Sequence, residues 1–192
     1  MKYAILLFTL LLGFNGFAQS DNPLDDIYEL EARTADCLGA IKLGDKLGPV
    51  VGNNKIGFKY EIKKQEHRNP YIFAWEHNVV WFRFTPEKDG ELELLISPIE
   101  PSENFDFILY VTDGRWFCND FHEYVDSPIR SNLSTNPGTT GISSLGQEEF
   151  VTEDKSNAYS SPVQVKAGYT YYLVIDSPDG KNSGFSIEKR VK

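Results

Sequence analysis

Apolar side chains recur at every second position along most of this chain, and a period of two is the signature of a strand rather than a helix. Val80, Phe82 and Phe84 alternate with Trp81, Arg83 and Thr85, and Leu92, Leu94 and Ile96 follow a turn at Asp89-Gly90. Residues 79–97 therefore read as a β-hairpin. Phe58, Tyr60 and Ile62 alternate with Lys59, Glu61 and Lys63, as in a half-exposed strand. Phe105, Phe107, Leu109 and Val111 share one face of a further strand, which Thr112-Asp113-Gly114 ends with turn chemistry. Near the C-terminus, Tyr171, Leu173 and Ile175 oppose Tyr172, Val174 and Asp176. Asp179-Gly180 turns that strand, and Phe185 and Ile187 return. Shorter strands are expected within 127–134 and 163–166. Repeated short strands with turns between them predict an all-β fold, an antiparallel β-sandwich.

Helical signals are confined to the start. Asn22-Pro23 with Asp25 and Asp26 resembles a helix N-terminus, and a short helix to about Arg33 or a frayed tail would follow. Cys37 to Leu47 reads as a strand entering a loop. The stretch after Asp120 is long and irregular, and such loops in a compact domain are functional or disordered.

Ahead of these elements, Met1-Lys2 and the apolar run Tyr3–Leu12 precede Phe17-Ala18-Gln19. That is the order of a secretory signal, with cleavage expected between Ala18 and Gln19. The run is shorter than the ~20 residues a membrane span requires. The expected organisation is a signal over 1–18, a lead segment over 19–35 and one sandwich domain over 36–192. Such a product is exported to the periplasm, the cell surface or the medium, with no transmembrane span. A formal net charge of -9 argues against nucleic-acid binding, which needs a basic surface to replace counterions. Cys37 and Cys118 are the two cysteines, and an even count in an exported chain favours a disulfide.

Catalytic patterns are scarce. There is no G-x-S-x-G elbow, and His67, His77 and His122 lack zinc-binding spacing. Asp106 stands between Phe105 and Phe107, so a buried carboxylate is expected there, and it needs donors, a cation or a proton. Arg130, Glu76, His77, Asn78, Asn119 and Asp120 are its candidate partners, with an Asp106–Arg130 ion pair favoured. Were Asp106, Asp120 and Glu76 to converge, calcium would bridge them through oxygen ligands, or two of them would form a glycosidase-like acid pair. No metal or other cofactor is favoured. Trp81, Trp116 and Tyr124 are the candidate ligand-binding residues, because aromatic platforms stack on sugars and anchor protein partners. Tyr159 lies in similar loop sequence. Asn132-Leu133-Ser134 matches a glycosylation sequon that is read as incidental.

Three segments carry a family resemblance: Val80–Thr85 with Gly90–Leu94, Phe105–Tyr110, and Val165–Asp176. In that order they resemble the pre-peptidase C-terminal (PPC) type of jelly-roll β-sandwich. Glu76–Trp81, Phe117–Asp120 and Pro128–Leu133 are similar to exported Bacteroidetes modules in which such a sandwich precedes an OmpA-like domain. The resemblance spans roughly residues 36–190. It implies a jelly-roll-like sandwich in an accessory role: binding carbohydrate or protein, assisting an enzyme, or holding calcium. Here the sandwich is expected to stand alone.

The residues and the resemblance together predict a secreted, disulfide-linked, non-catalytic module with a glycan or protein partner. The alternatives are a hydrolase accessory factor, a weakly active hydrolase, or a structural envelope component.

Overall fold

The structure, a computed structural model, describes residues 28–52, 57–62 and 69–192. The signal region 1–18, the helix start at Asn22-Pro23 and His67 lie outside the described residues.

Among the described residues thirteen strands follow in chain order: β1 (Tyr28–Glu29), β2 (Ile41–Lys42), β3 (Lys46–Val51), β4 (Val80–Phe84), β5 (Gly90–Pro98), β6 (Asp106–Thr112), β7 (Arg130–Asn132), β8 (Thr140–Ile142), β9 (Phe150–Val151), β10 (Tyr159–Ser160), β11 (Val163–Val165), β12 (Thr170–Asp176) and β13 (Phe185–Val191). One sheet runs β1-β3-β13-β5-β8-β10, with β11 beside β5, and the other runs β2-β4-β12-β6-β7-β9. The molecule is an all-β sandwich. Its central pairings are antiparallel, whereas β1–β3, β2–β4, β7–β9 and β8–β10 pair in parallel, so both sheets are mixed at their margins.

The expected hairpin over 79–97 is corrected. β4 and β5 are both strands, but β4 pairs with β2 and β12, and β5 with β13, β8 and β11 in the other sheet. The connection through Pro86–Asp89 crosses the sandwich. β12 and β13 are related in the same way. Alternation sets which face of a strand is apolar. It is equally satisfied by two strands side by side in one sheet and by two strands facing each other across a core.

That shared core lies between the sheets. Phe82, Phe107, Leu109, Leu173 and Ile175 meet Leu94, Ile96, Phe185 and Ile187 there, all fully or almost fully buried. A second core covers the outer face of the β2-β4-β12-β6-β7-β9 sheet. Trp81, Ile108, Tyr110 and Val174 point into it, and Ile62, Ile72, Phe73, Phe117, Phe121 and Val125 close it from loops. The central strands of this sheet are therefore buried on both faces.

Three further expectations are corrected. Residues 28–33 form no α-helix: Tyr28–Glu29 is a strand beside β3, and Ala32–Ala35 is a short 3-10 helix. Between Cys37 and Leu47 the chain makes a 3-10 turn at Cys37–Gly39, then β2, then the start of β3. The strand expected at Phe58–Ile62 is coil with a bend at Phe58-Lys59, and no strand among the described residues pairs with it. Its N–H groups bond to carboxylates instead. β13 runs on through Lys189–Val191.

Candidate functional site

The loop layer over the second core is tied down by acidic side chains. Asp36 accepts from the Phe58 and Lys59 N–H groups at 3.0 and 2.9 Å. A Cβ at Gly57 would collide with that carboxylate, so glycine there keeps the approach open. Glu76 Oε1 accepts from Glu61 and Ile62 at 3.0 and 2.7 Å. Glu61 in turn accepts from the Cys37 N–H at 3.0 and 3.1 Å. Asp176 Oδ1 accepts from His77 and Asn78 at 3.0 and 2.8 Å, and its Oδ2 lies 2.9 Å from His77 Nδ1. A Cys37–Cys118 disulfide, with Cα atoms 5.4 Å apart, joins the two halves of the layer.

Burial has a cost for these acids, because it disfavours the charged form. It pushes Glu61 up to about 7 and Glu76 up to about 8, against backbone hydrogen bonds that pull the other way. Asp106 is driven well above the usual carboxylate range, chiefly by burial and then by Asp176. His77 is raised by its bond to Asp176.

Six large apolar side chains with substantial exposure belong to this layer: Leu38, Phe58, Tyr60, Tyr71, Trp75 and Trp116. Phe58 is 81% exposed, Leu38 68% and Trp116 67%. Leu38 adjoins Cys37 and Trp116 precedes Cys118 by two residues, so the disulfide holds their backbones close together. Leu38 and Phe58 line a cleft of about 700 Å³ with Ile41 and Tyr28. Arg33, Lys42 and Lys59 reach the same cleft, as does Glu61. The surface combines flat apolar rings with a few polar groups, the composition of a small-ligand or partner site.

The expected polar centre is rearranged. Asp106 is buried, but the residue opposite it in register is Asp176, and Asn104 Nδ2 donates to it at 3.4 Å. Arg130 is buried too, yet its guanidinium donates to the Ser161, Ile129 and Pro162 carbonyls and lies 3.6 Å from Glu149. The favoured Asp106–Arg130 pair is thus corrected. The carbonyls of residues 161–162, between β10 and β11, are its acceptors, and burial pulls the Arg130 pKa down while Glu149 pulls it up. Asn119 and Asp120 are exposed on the turn after Cys118. Among the described residues no group of three His, Cys, Asp or Glu side chains is placed to hold a metal ion, so calcium at Asp106, Asp120 and Glu76 has no geometric support. Glu76 and His77 do adjoin a buried carboxylate, but it is that of Asp176.

The aromatic residues divide. Trp81 has no exposed surface, and its ring meets Phe121 edge-on at 5.1 Å, so it is a core residue and not a platform. Tyr124 is half-buried against Phe117. Tyr159 is half-buried in β10. Trp116 stays in solvent. Asn132 of the sequon is buried and donates to the Asn157 carbonyl. Sequence reasoning missed Leu38, Phe58, Tyr60 and Trp75 as surface residues. Phe58 and Tyr60 carry the alternation of a strand, and nothing in that pattern shows that no strand lies beside them.

No protein-family model matches the chain, and neither does any curated protein. Among solved structures it is similar to the pre-peptidase C-terminal domain of a collagenase from Bacillus anthracis, with 9% identity, a TM-score of 0.41, and coverage of 79% of this chain and 92% of that domain.

Proposed function

We propose that this protein is an exported, non-catalytic binding module that takes a glycan or protein partner on its aromatic loop layer. The observation that carries this reading is the gathering of six exposed apolar side chains on that one layer, beside a cleft of about 700 Å³. Exposing large rings costs hydrophobic free energy that a partner recovers on docking. The disulfide agrees with an oxidising compartment. Among the described residues no helix is long and apolar enough to cross a membrane.

A glycan array and a pull-down from envelope extract, each run with the protein and with Phe58→Ala/Trp116→Ala, test the reading. Binding that is lost in the double variant supports it. Binding that is absent from both, or unchanged in the variant, overturns it. N-terminal sequencing of exported protein checks cleavage after Ala18.

A second reading, a weakly active hydrolase, has one observation in its favour. Glu61 lines the cleft with its carboxyl raised to about 7, as a general acid requires. Against it, both Glu61 oxygens already accept from the Cys37 N–H. Turnover of glycan or peptide substrates that Glu61→Gln abolishes would favour the hydrolase.

A further inference from the structure

A second and larger cleft, of about 1270 Å³, opens at the side of the sandwich where β2 passes from one sheet to β3 in the other. Its composition is at odds with the rest of the chain. The protein carries a formal net charge of -9, yet seven cationic side chains and three carboxylates line this cleft. Lys42 and Arg83 stand on one wall, from the β2–β4 margin, with Lys88 on the loop that crosses to β5. Lys46 and Lys189 stand on the other, from β3 and β13.

The pairing of these charges is uneven. Lys46 bonds Glu188 at 3.0 Å, Lys189 bonds Asp45 at 3.0 Å and Lys192 meets Glu93 at 2.8 Å. Arg190 is 3.9 Å from Glu188. Lys42, Arg83 and Lys88 form no ion pair among the described residues. Moreover, Lys42 and Arg83 are direct partners in the β2–β4 register, both exposed. Like charges set opposite each other across a strand pair destabilise it. An anion between them would relieve that repulsion.

We propose that this cleft binds a linear acidic polysaccharide, its carboxylate or sulfate groups held by Lys42, Arg83 and Lys88. The cleft exceeds the volume of an ordinary small-molecule pocket, which leaves room for more than one sugar unit. Its mixed lining selects the chemistry. Asp45, Glu87 and Glu188 offer oxygens that accept hydrogen bonds from sugar hydroxyls, donors that a bare polyphosphate or a polyglutamate lacks. A net charge of -9 disfavours a duplex nucleic acid, which needs a broad basic surface. The site is separate from the aromatic cleft apart from Lys42, which borders both, and the inference does not rest on the proposed use of that layer.

The test is binding of the purified protein to polygalacturonate, dextran sulfate, neutral dextran, polyphosphate and polyglutamate. The first two separate carboxylate from sulfate recognition. At least one of them should bind, neutral dextran should not, and affinity should fall on the order of tenfold between about 50 and about 200 mM salt, as a few counterions are released. Arg83→Gln/Lys88→Gln leaves the aromatic cleft untouched. It should lose most of the binding and flatten the salt dependence, each cation removed lowering the slope by about one. Its melting temperature should hold or rise, because the repulsion at Lys42 is relieved. Lys88→Gln alone, in a loop, gives the same readout without touching a strand. Failure of both acidic glycans to bind, equal binding of neutral dextran, preference for polyphosphate or polyglutamate, or unchanged binding by the double variant would overturn the proposal.

Discussion

Ile108 and Leu109 are neighbours on β6, and neither has exposed surface, yet they serve different cores. Leu109 faces the other sheet. Around it the backbone is satisfied strand to strand, through the long registers of β6 with β12 and β5 with β13. Ile108 faces the loop layer, where residues 57–62 and 77–78 have no strand to bond. The N–H groups of Phe58, Lys59, Glu61, Ile62, His77 and Asn78 are satisfied by Asp36, Glu76 and Asp176. A coil can close a core only if its buried N–H groups find acceptors. Here acids from distant parts of the chain supply them, and the layer acquires a dependence on pH and on the disulfide that the sandwich does not share.

Reducing the disulfide is the hardest test of that difference. The bridge closes a loop of 81 residues in sequence separation, for which the chain-entropy account gives about 4 kcal/mol. Hydrogen exchange on reduced protein should show Phe58–Ile62 amides released while β5 and β13 stay protected. Equal release in both regions would mean a single cooperative core.

Truncation on β6 comes next. Leu109→Ala and Ile108→Ala should each cost about 3 kcal/mol in denaturant unfolding, as buried aliphatic truncations do. The comparison is sharpened if Leu109→Ala lowers protection throughout and Ile108→Ala lowers it mainly over the loop layer. Identical exchange patterns would remove the distinction.

The acids give a smaller and more specific effect. Glu76→Ala should cost about 2 kcal/mol, because it strands the Glu61 and Ile62 N–H groups. Glu76→Gln retains the accepting oxygen and should be nearly neutral. The folded pKa values of Glu61 and Glu76 lie above their ordinary 4.5, so both groups favour folding most when protonated. Their contribution is complete below about 4.5 and is lost as pH rises through about 7 and about 8. Melting temperature should therefore fall toward alkaline pH, and less so in Glu76→Gln. A rise over that range would contradict the clamp.

The smallest effect is expected at His77. Its side chain is 38% exposed, so the pair with Asp176 is partly screened and His77→Ala should cost about 0.5 kcal/mol. The raised folded pKa means that its contribution is full below the ordinary 6.5 and fades as pH climbs through the folded value. An NMR titration of the ring at or below the ordinary value would show that the pair does not hold in solution.

Much of the candidate site was hidden from sequence reasoning for one physical cause. Trp81 occupies the polar-side position of its strand, where alternation predicts solvent, and it is buried because a loop layer from elsewhere covers that face. Asp106 was expected to be buried, and it is, but its opposite number proved to be Asp176 because β12 lies beside β6. Arg130 is drawn away by carbonyls of the link between β10 and β11, about thirty residues later.

The amino-acid sequence by itself determined that this chain is built of strands, where the central ones lie, which faces of them are apolar, and that two cysteines are available to bridge. Those properties are local: they follow from side-chain alternation and turn chemistry within a few residues. Which strands are neighbours, that β4 and β5 belong to opposite sheets, and that a second core exists at all were decided only by the tertiary structure. Pairing and coverage depend on contacts between segments far apart in the chain. A period of two records the apolar side of a strand without recording what comes to cover it.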